Sequence, residues 1–311
     1  MRFVIDTDMG IDDAVALLMV LAQTEIQIQA ITTVMGNVPL AQATHNTGVV
    51  LDVANAPPIP IYQGCAWPLL GHQPQHAHDV HGDDGLGGAG RAETRRIIEA
   101  EHAALALIRL VRQYPGELTL LTLGPLTNIA LAIRLNPDFL KDIRQLVVMA
   151  GAVDGRGNTS PPAEFNIALD PEAARIVFEA CSRAGMQPQL ISWETTLAYP
   201  VSMVDWEEII AGDTPIAELA QGMTRYLKQR MQPDQKQHIL WPDPLAAAVA
   251  LAPEIVLGQE SLYIAVEIGP NLARGQTIVD YRSHNQHTPN VQIIREMDSR
   301  KFRGLLQNAM K

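Results

Sequence analysis

The chain has 311 residues, 47% hydrophobic and 18% charged, a balance that fits a folded globular protein and excludes an intrinsically disordered one. Its net charge of −11, without any run of Lys or Arg, argues against a nucleic-acid partner, because phosphate neutralisation needs clustered cations. No stretch approaches a membrane span, and the N-terminal MRFVIDTDMG has neither the apolar length nor the cleavage site of a signal peptide. Two cysteines, Cys65 and Cys181, are too few for a disulfide framework and lack metal-site spacing, which fits reduced thiols in a cytoplasmic protein.

Short β-branched runs alternate with helical patterns. Residues 2–5 read as a strand ending at acids, and 12–23 as a helix with acids in its first turn, where the macrodipole favours them. A strand at 26–33, a helix at 40–54 and a short strand at 60–62 follow. Then come a helix at 99–113, a strand at 118–123, a helix at 126–134 and a strand at 145–149. A helix at 171–184, a strand at 189–192 and a helix beginning near Thr214 continue the alternation. It predicts an α/β fold: an open, mostly parallel, Rossmann-like sheet with helices on both faces. No repeat, linker or charge block divides the chain, so residues 1–311 read as one domain. Two segments, 64–91 and 230–241, are too long for simple connections, and such loops are usually functional. Ligands of open α/β sheets sit at the carboxyl ends of the strands, which directs attention to the residues there.

The first strand end is acidic. VIDTDMGIDDA sets Asp6, Asp8, Asp12 and Asp13 between a strand's end and a helix's start, with Gly10 permitting the turn. Asp6 and Asp8 project to the same side of an extended chain. Asp12 is placed to cap the helix, the bland account of part of the cluster. So many carboxylates in one place repel unless a cation offsets them, and a hard cation such as Ca²⁺ takes oxygen ligands of this kind. The spacing is not that of an EF-hand loop.

This segment resembles the D-x-D-x-x-x-D-D signature of the inosine–uridine-preferring nucleoside hydrolase family. Further matches follow in order: VMGNV with Asn37, VHGDDGLG with His81, LGPLTN at 123–128, VMAGA at 148–152, NTSPPAEFNIALD at 158–170, and Asp243-Pro244-Leu245, with a strand at 290–294. Each motif is weak alone; the ordered set is specific and covers essentially the whole chain. The resemblance implies a calcium ion held by Asp8, Asp13, the Leu123 carbonyl and Asp243, with Asp8 also the general base. It implies that Asp12, Asn37, Glu164 and Asn166 bind the ribose hydroxyls, and that Met149 and Asn158 line the sugar's 5′ side. The implied reaction is hydrolysis of a ribonucleoside to ribose and free base, by a homodimer or homotetramer. Charge develops on the ribose as the glycosidic bond breaks, and carboxylates and amide oxygens around it suit that charge.

The match breaks at Pro242, where many members carry a His that protonates the departing base; proline has no proton to give. Three substitutes stand in the sequence. His81 lies in the loop that covers the site in relatives, and His238 precedes Pro242 by four residues. Trp241 can either stack on a purine or fill the core. Loss of the His, with Trp241, tilts the expectation towards purine nucleosides. Tyr226 on the late helix is a candidate base or ribose contact. The histidines His72, His76, His78 and His81 sit among Gly and Pro without regular ligand spacing, which favours a lid over a second metal site. Two rivals are a haloacid dehalogenase-like phosphohydrolase, which would release phosphate, and a catalytically silent nucleoside-binding protein, which would bind without turnover.

Overall fold

β1 (Arg2–Thr7) sits inside the sheet: Phe3 and Ile5 enter one apolar layer and Val4 the other, so both of its faces are covered. The computed structural model describes residues 1–71, 73–90, 93–231, 237–282 and 287–311. After β1 come α1 (Ile11–Leu21), β2 (Gln27–Thr33), α2 (Leu40–Val53), β3 (Ile61–Gln63), α3 (His78–His81) and β4 (Ile98–Glu99). The chain continues through α4 (Ala103–Gln113), β5 (Leu118–Thr122), α5 (Thr127–Leu135), β6 (Ile143–Met149), α6 (Phe165–Leu169), α7 (Pro171–Ala184) and β7 (Gln189–Ile191). It then forms α8 (Trp193–Ala198), β8 (Val201–Ser202), α9 (Met203–Ile209), α10 (Pro215–Arg230), β9 (His238–Ile239) and α11 (Pro242–Leu251). β10 (Val256–Val266), β11 (Thr277–Asp280), β12 (Val291–Met297) and α12 (Ser299–Ala309) close it.

Ten strands form one sheet in the order β11-β10-β12-β7-β6-β5-β1-β2-β3-β4. From β12 to β4 every pairing is parallel, and only β10 runs antiparallel to its two neighbours. The mostly parallel α/β expectation is met, with helices on both faces. One layer gathers α1, α2, α11 and α12; the other gathers α4, α5 and α7. Alternation along β6 divides Val147 and Met149 from Leu146 and Val148 between these layers, the period of two that a doubly covered strand needs.

The helix expected from residue 99 begins at Ala103, because 98–99 is spent on the edge strand β4 and His102 caps the helix through Nδ1, which accepts the Ala104 N–H at 3.2 Å. α11 had no amphipathic stripe to announce it. Its residues from Asp243 to Leu251 are all buried, and its alanines let it pack closely on α1. That packing brings the N-terminus of α11 to the carboxyl ends of β1 and β5.

Candidate active site

Past the end of β1, Asp8 points its carboxylate between two backbone segments. Its Oδ2 accepts the Asn37 N–H at 2.6 Å, while Oδ1 is buried without a hydrogen-bond partner. A Cβ at Gly36 would lie 1.9 Å from Asp8 Oδ2, and one at Gly124 would lie 2.9 Å from Oδ1. Glycine at both positions is therefore what lets the carboxylate fit, and Gly124 sets it beside Leu123. Asp13, in the first turn of α1, accepts the Gly10 N–H at 2.8 Å and Asn37 Nδ2–H at 3.0 Å on one oxygen. Its other oxygen takes a short hydrogen bond from the Thr7 hydroxyl. Asp12, partly buried, leaves Oδ1 unpartnered, and Asp243 enters from the first turn of α11.

Asp12, Asp13 and Asp243 each offer an oxygen within 4.8 Å of the others. Burial, with the charge of Asp13 next, pushes the Asp12 carboxyl up to about 8. Burial first and then neighbouring acids raise Asp8 and Asp243 well above the ordinary carboxylate range. Carboxylates this close resist ionising together, and a bound cation removes that conflict. The unpartnered oxygens of Asp8 and Asp12 thus fit a hard, oxygen-seeking ion. Asp6, the fourth acid of the cluster, turns away: its Oδ1 accepts from Thr32 Oγ1 at 2.5 Å and Asn128 Nδ2 at 2.8 Å. The expected common side for Asp6 and Asp8 does not give them one role: Asp6 is taken up by Thr32 and Asn128, whereas Asp8 lies past the end of β1 and meets the Asn37 N–H.

The motif around residues 158–170 lies against the carboxyl ends of β5 and β6. Asn166 Nδ2 donates to the carbonyls of Leu123 (2.8 Å) and Met149 (3.1 Å), which ties the ends of β5 and β6 together and leaves the amide oxygen. Glu164 accepts the N–H groups of Gly151 (2.8 Å), Asn166 (2.9 Å) and Ile167 (3.3 Å), yet its burial still raises its carboxyl above the usual range. Asn158 lies exposed at the rim, its Oδ1 accepting the Phe165 N–H at 2.8 Å. Met149 is buried at the end of β6.

Three candidates for the missing acid fall in three different places. His81 is buried against the cluster: Nδ1 accepts the Ile11 N–H at 3.0 Å and lies 3.7 Å from Asp12 Oδ1. Burial lowers its pKa to about 4 against the opposing charge of Asp13, so the ring is neutral with its proton on Nε2. His238 stands exposed on β9, since its strand neighbour Ile239 takes the inward side. Trp241 corrects the stacking expectation: at 1% exposure it is a core residue, its ring 4.7 Å from that of Trp206, and it presents no face to a base. Tyr226 uses its hydroxyl on the His78 carbonyl at 2.9 Å, so it holds the covering loop. That loop lies over the site through Ala77 N–H to Asn37 O (3.0 Å) and His76 Nδ1 with Gly36 O (2.8 Å). His72 lies outside the described residues, as do residues 232–236 of the second long loop. Among the described residues the ligand group is the acidic trio, not the histidines. Reasoning from the sequence missed Thr7, Gly36 and Gly124 as supports of the carboxylates, although both glycines lie inside the matched motifs.

Known proteins resemble this chain along nearly its whole length. The profile of the family described as "Inosine-uridine preferring nucleoside hydrolase" matches residues 3–304. The chain is 33% identical to an inosine-uridine preferring nucleoside hydrolase of Leishmania major, over 100% of this chain and 97% of that one. It is 35% identical to a non-specific ribonucleoside hydrolase of Escherichia coli, over 96% and 94%. A solved inosine-guanosine nucleoside hydrolase superposes with a TM-score of 0.92 at 30% identity, covering 99% of this chain and 98% of the other. These matches span the chain and leave no place for the haloacid dehalogenase-like phosphohydrolase. Among the described residues no helix is long and apolar enough to cross a membrane. The chain belongs to the inosine-uridine preferring nucleoside hydrolase family and is a hydrolase acting on N-glycosyl compounds.

Proposed function

We propose that this chain hydrolyses ribonucleosides to ribose and free base in a calcium-dependent reaction, with purine nucleosides preferred. The observation that carries the reading is the buried carboxylate group with unpartnered oxygens on Asp8 and Asp12. Asp8, Asp13, Asp243 and the Leu123 carbonyl would hold the ion, with Asp12 close enough to share its field. When bound, calcium supplies positive charge that polarises water and grips vicinal hydroxyls.

The chain's own residues supply the rest. Asp8 is held on one side by the Asn37 N–H, so its free Oδ1 is the base that takes the proton of the attacking water. As the C1′–N bond breaks, its electron pair leaves with the base and positive charge grows on the ribose. Glu164 and the amide oxygen of Asn166 face that charge, with Asp12 and Asn37 on the sugar's hydroxyls. Met149 and Asn158 line the 5′ side. His81, being neutral, offers its Nε2–H as a hydrogen bond that stabilises the negative charge of the departing base and keeps the proton; the base takes its own proton from water after the bond has broken, and Pro242 offers neither. The purine preference rests on Pro242, and on likeness to a solved hydrolase named for inosine and guanosine. The homodimer or homotetramer is what the family resemblance implies, and the cytoplasmic location is the reading of the cysteine usage.

Ribose release from a panel of purine and pyrimidine ribonucleosides, with calcium and with chelator, tests the reading. Release that chelator abolishes and calcium restores is expected, fastest with purines. Release unaffected by chelator would remove the metal from the account, and faster pyrimidine turnover would reverse the preference.

A further inference from the structure

Glu194 is a carboxylate that the reaction above does not use. It lies in the first turn of α8, just beyond the end of β7. Its Oε2 accepts the Val153 N–H at 2.9 Å, and its Oε1 accepts those of Asp154 (2.9 Å) and Arg156 (3.3 Å). Backbone N–H groups converging on one centre form an anion-binding nest, and here the chain fills its own nest. The Trp193 N–H also donates to the Gly151 carbonyl at 2.8 Å, so one short helix grips the turn twice.

That turn begins the segment carrying two of the sugar-facing residues. Gly151 donates to Glu164, the Gly157 N–H returns to the Pro161 carbonyl at 2.8 Å, and Asn158 accepts from Phe165. The segment 151–164 is thus closed on itself by its own bonds. Its outer turn is held to the body of the protein by Glu194, with further ties from Arg295 and Tyr281 to Asp154. Without the Glu194 carboxylate, three N–H groups lose their acceptor together.

We propose that Glu194 is a positioning residue for the sugar's 5′ side, setting Asn158 and Glu164 by serving as the internal anion of this nest. The proposal rests on the reading that those two residues meet the ribose. A displacement near 1 Å of such groups costs about a hundredfold in rate.

The test compares the full chain with its Glu194→Ala and Glu194→Gln variants. Glu194→Ala is expected to lose about a hundredfold in kcat/KM for a purine ribonucleoside, with KM rising more than kcat falls. Sodium formate, a carboxylate small enough for the vacated nest, restores activity to Glu194→Ala and leaves the unsubstituted chain unchanged. Glu194→Gln keeps one acceptor oxygen and loses less than about tenfold. A second readout needs no turnover: formate raises the Tm of Glu194→Ala and not that of the unsubstituted chain. Unchanged kinetics in Glu194→Ala, or a loss that formate neither restores nor registers in Tm, would overturn the proposal. An unsubstituted chain inactive on every ribonucleoside would instead overturn the hydrolase reading, while the Tm response to formate still decides the nest.

Discussion

Two groups of carboxylates lie beyond the carboxyl ends of the sheet's strands, and they solve burial in opposite ways. On one side Glu164 and Glu194 are each met by three backbone N–H groups. On the other, Asp8 and Asp12 keep oxygens with no donor, and Asp243 lies among acids. A carboxylate met by several backbone N–H groups is held rigidly in place, which suits Glu194 as a support and Glu164 as a fixed negative charge beside the sugar. An unsaturated cluster is incomplete as a folded object, since buried charges persist only when something pairs them. The difference separates carboxylates whose positions the backbone fixes from carboxylates that a bound cation would complete.

The sharpest way to break that contrast is to remove one acid from the unsaturated side. Asp8→Ala and Asp243→Ala should each reduce ribonucleoside turnover by about a thousandfold or more, since each removes a metal oxygen and Asp8 also removes the base. Calcium titration should show weaker binding in both. Near-normal turnover in either variant would mean that the incomplete cluster is not the catalytic one.

A milder test follows from the raised pKa values. Burial lifts Asp12 from the usual 3.8 to about 8, with Asp8 and Asp243 moved the same way. In the folded, metal-free chain these groups keep protons that the unfolded chain has released above pH 4. The folded state then binds more protons, so this contribution to stability falls as pH rises from about 4 to about 8. Calcium binds the ionised acids and cancels the loss. The rise in Tm on adding calcium should therefore grow between pH 5 and 8, reaching about 5 °C when the site is well saturated. Scanning calorimetry with and without chelator measures it; a calcium effect that is constant with pH would mean that the acids are not what the ion meets.

How much of this was legible in the sequence depends on whether a residue's role is local. The parallel core was readable because a doubly covered strand is apolar on both faces, and the acids after β1 were readable because they crowd a strand end. α11 gave no stripe, being buried all round, and β10 runs antiparallel with an irregular exposure pattern that no period announces. Glu194 was invisible for a different reason. Its partners lie 38 to 41 residues away in the chain and are backbone groups, which leave no trace in residue type. The parting of Asp6 from Asp8 likewise depends on partners distant in the chain, Thr32 and Asn128 for Asp6 and the Asn37 N–H for Asp8.

The smallest effect marks the border of the unsaturated region. Trp241 is two residues from Asp243, yet its ring packs on Trp206 and its Nε1 has no partner. Trp241→Phe therefore removes volume without removing a hydrogen bond, and should cost about 1–3 kcal/mol of stability, read from the denaturant midpoint. Its kcat/KM should stay within about threefold of the unsubstituted chain, with the order of bases unchanged. Stacking is worth about 0.5–1.5 kcal/mol, up to roughly tenfold in binding, so a shift of that size in the purine-to-pyrimidine ratio would put Trp241 against the base. With the ratio unmoved, selectivity would rest on Pro242, which has no proton to give, and on the Nε2–H of neutral His81, buried against Asp12, as a hydrogen-bond donor to the departing base.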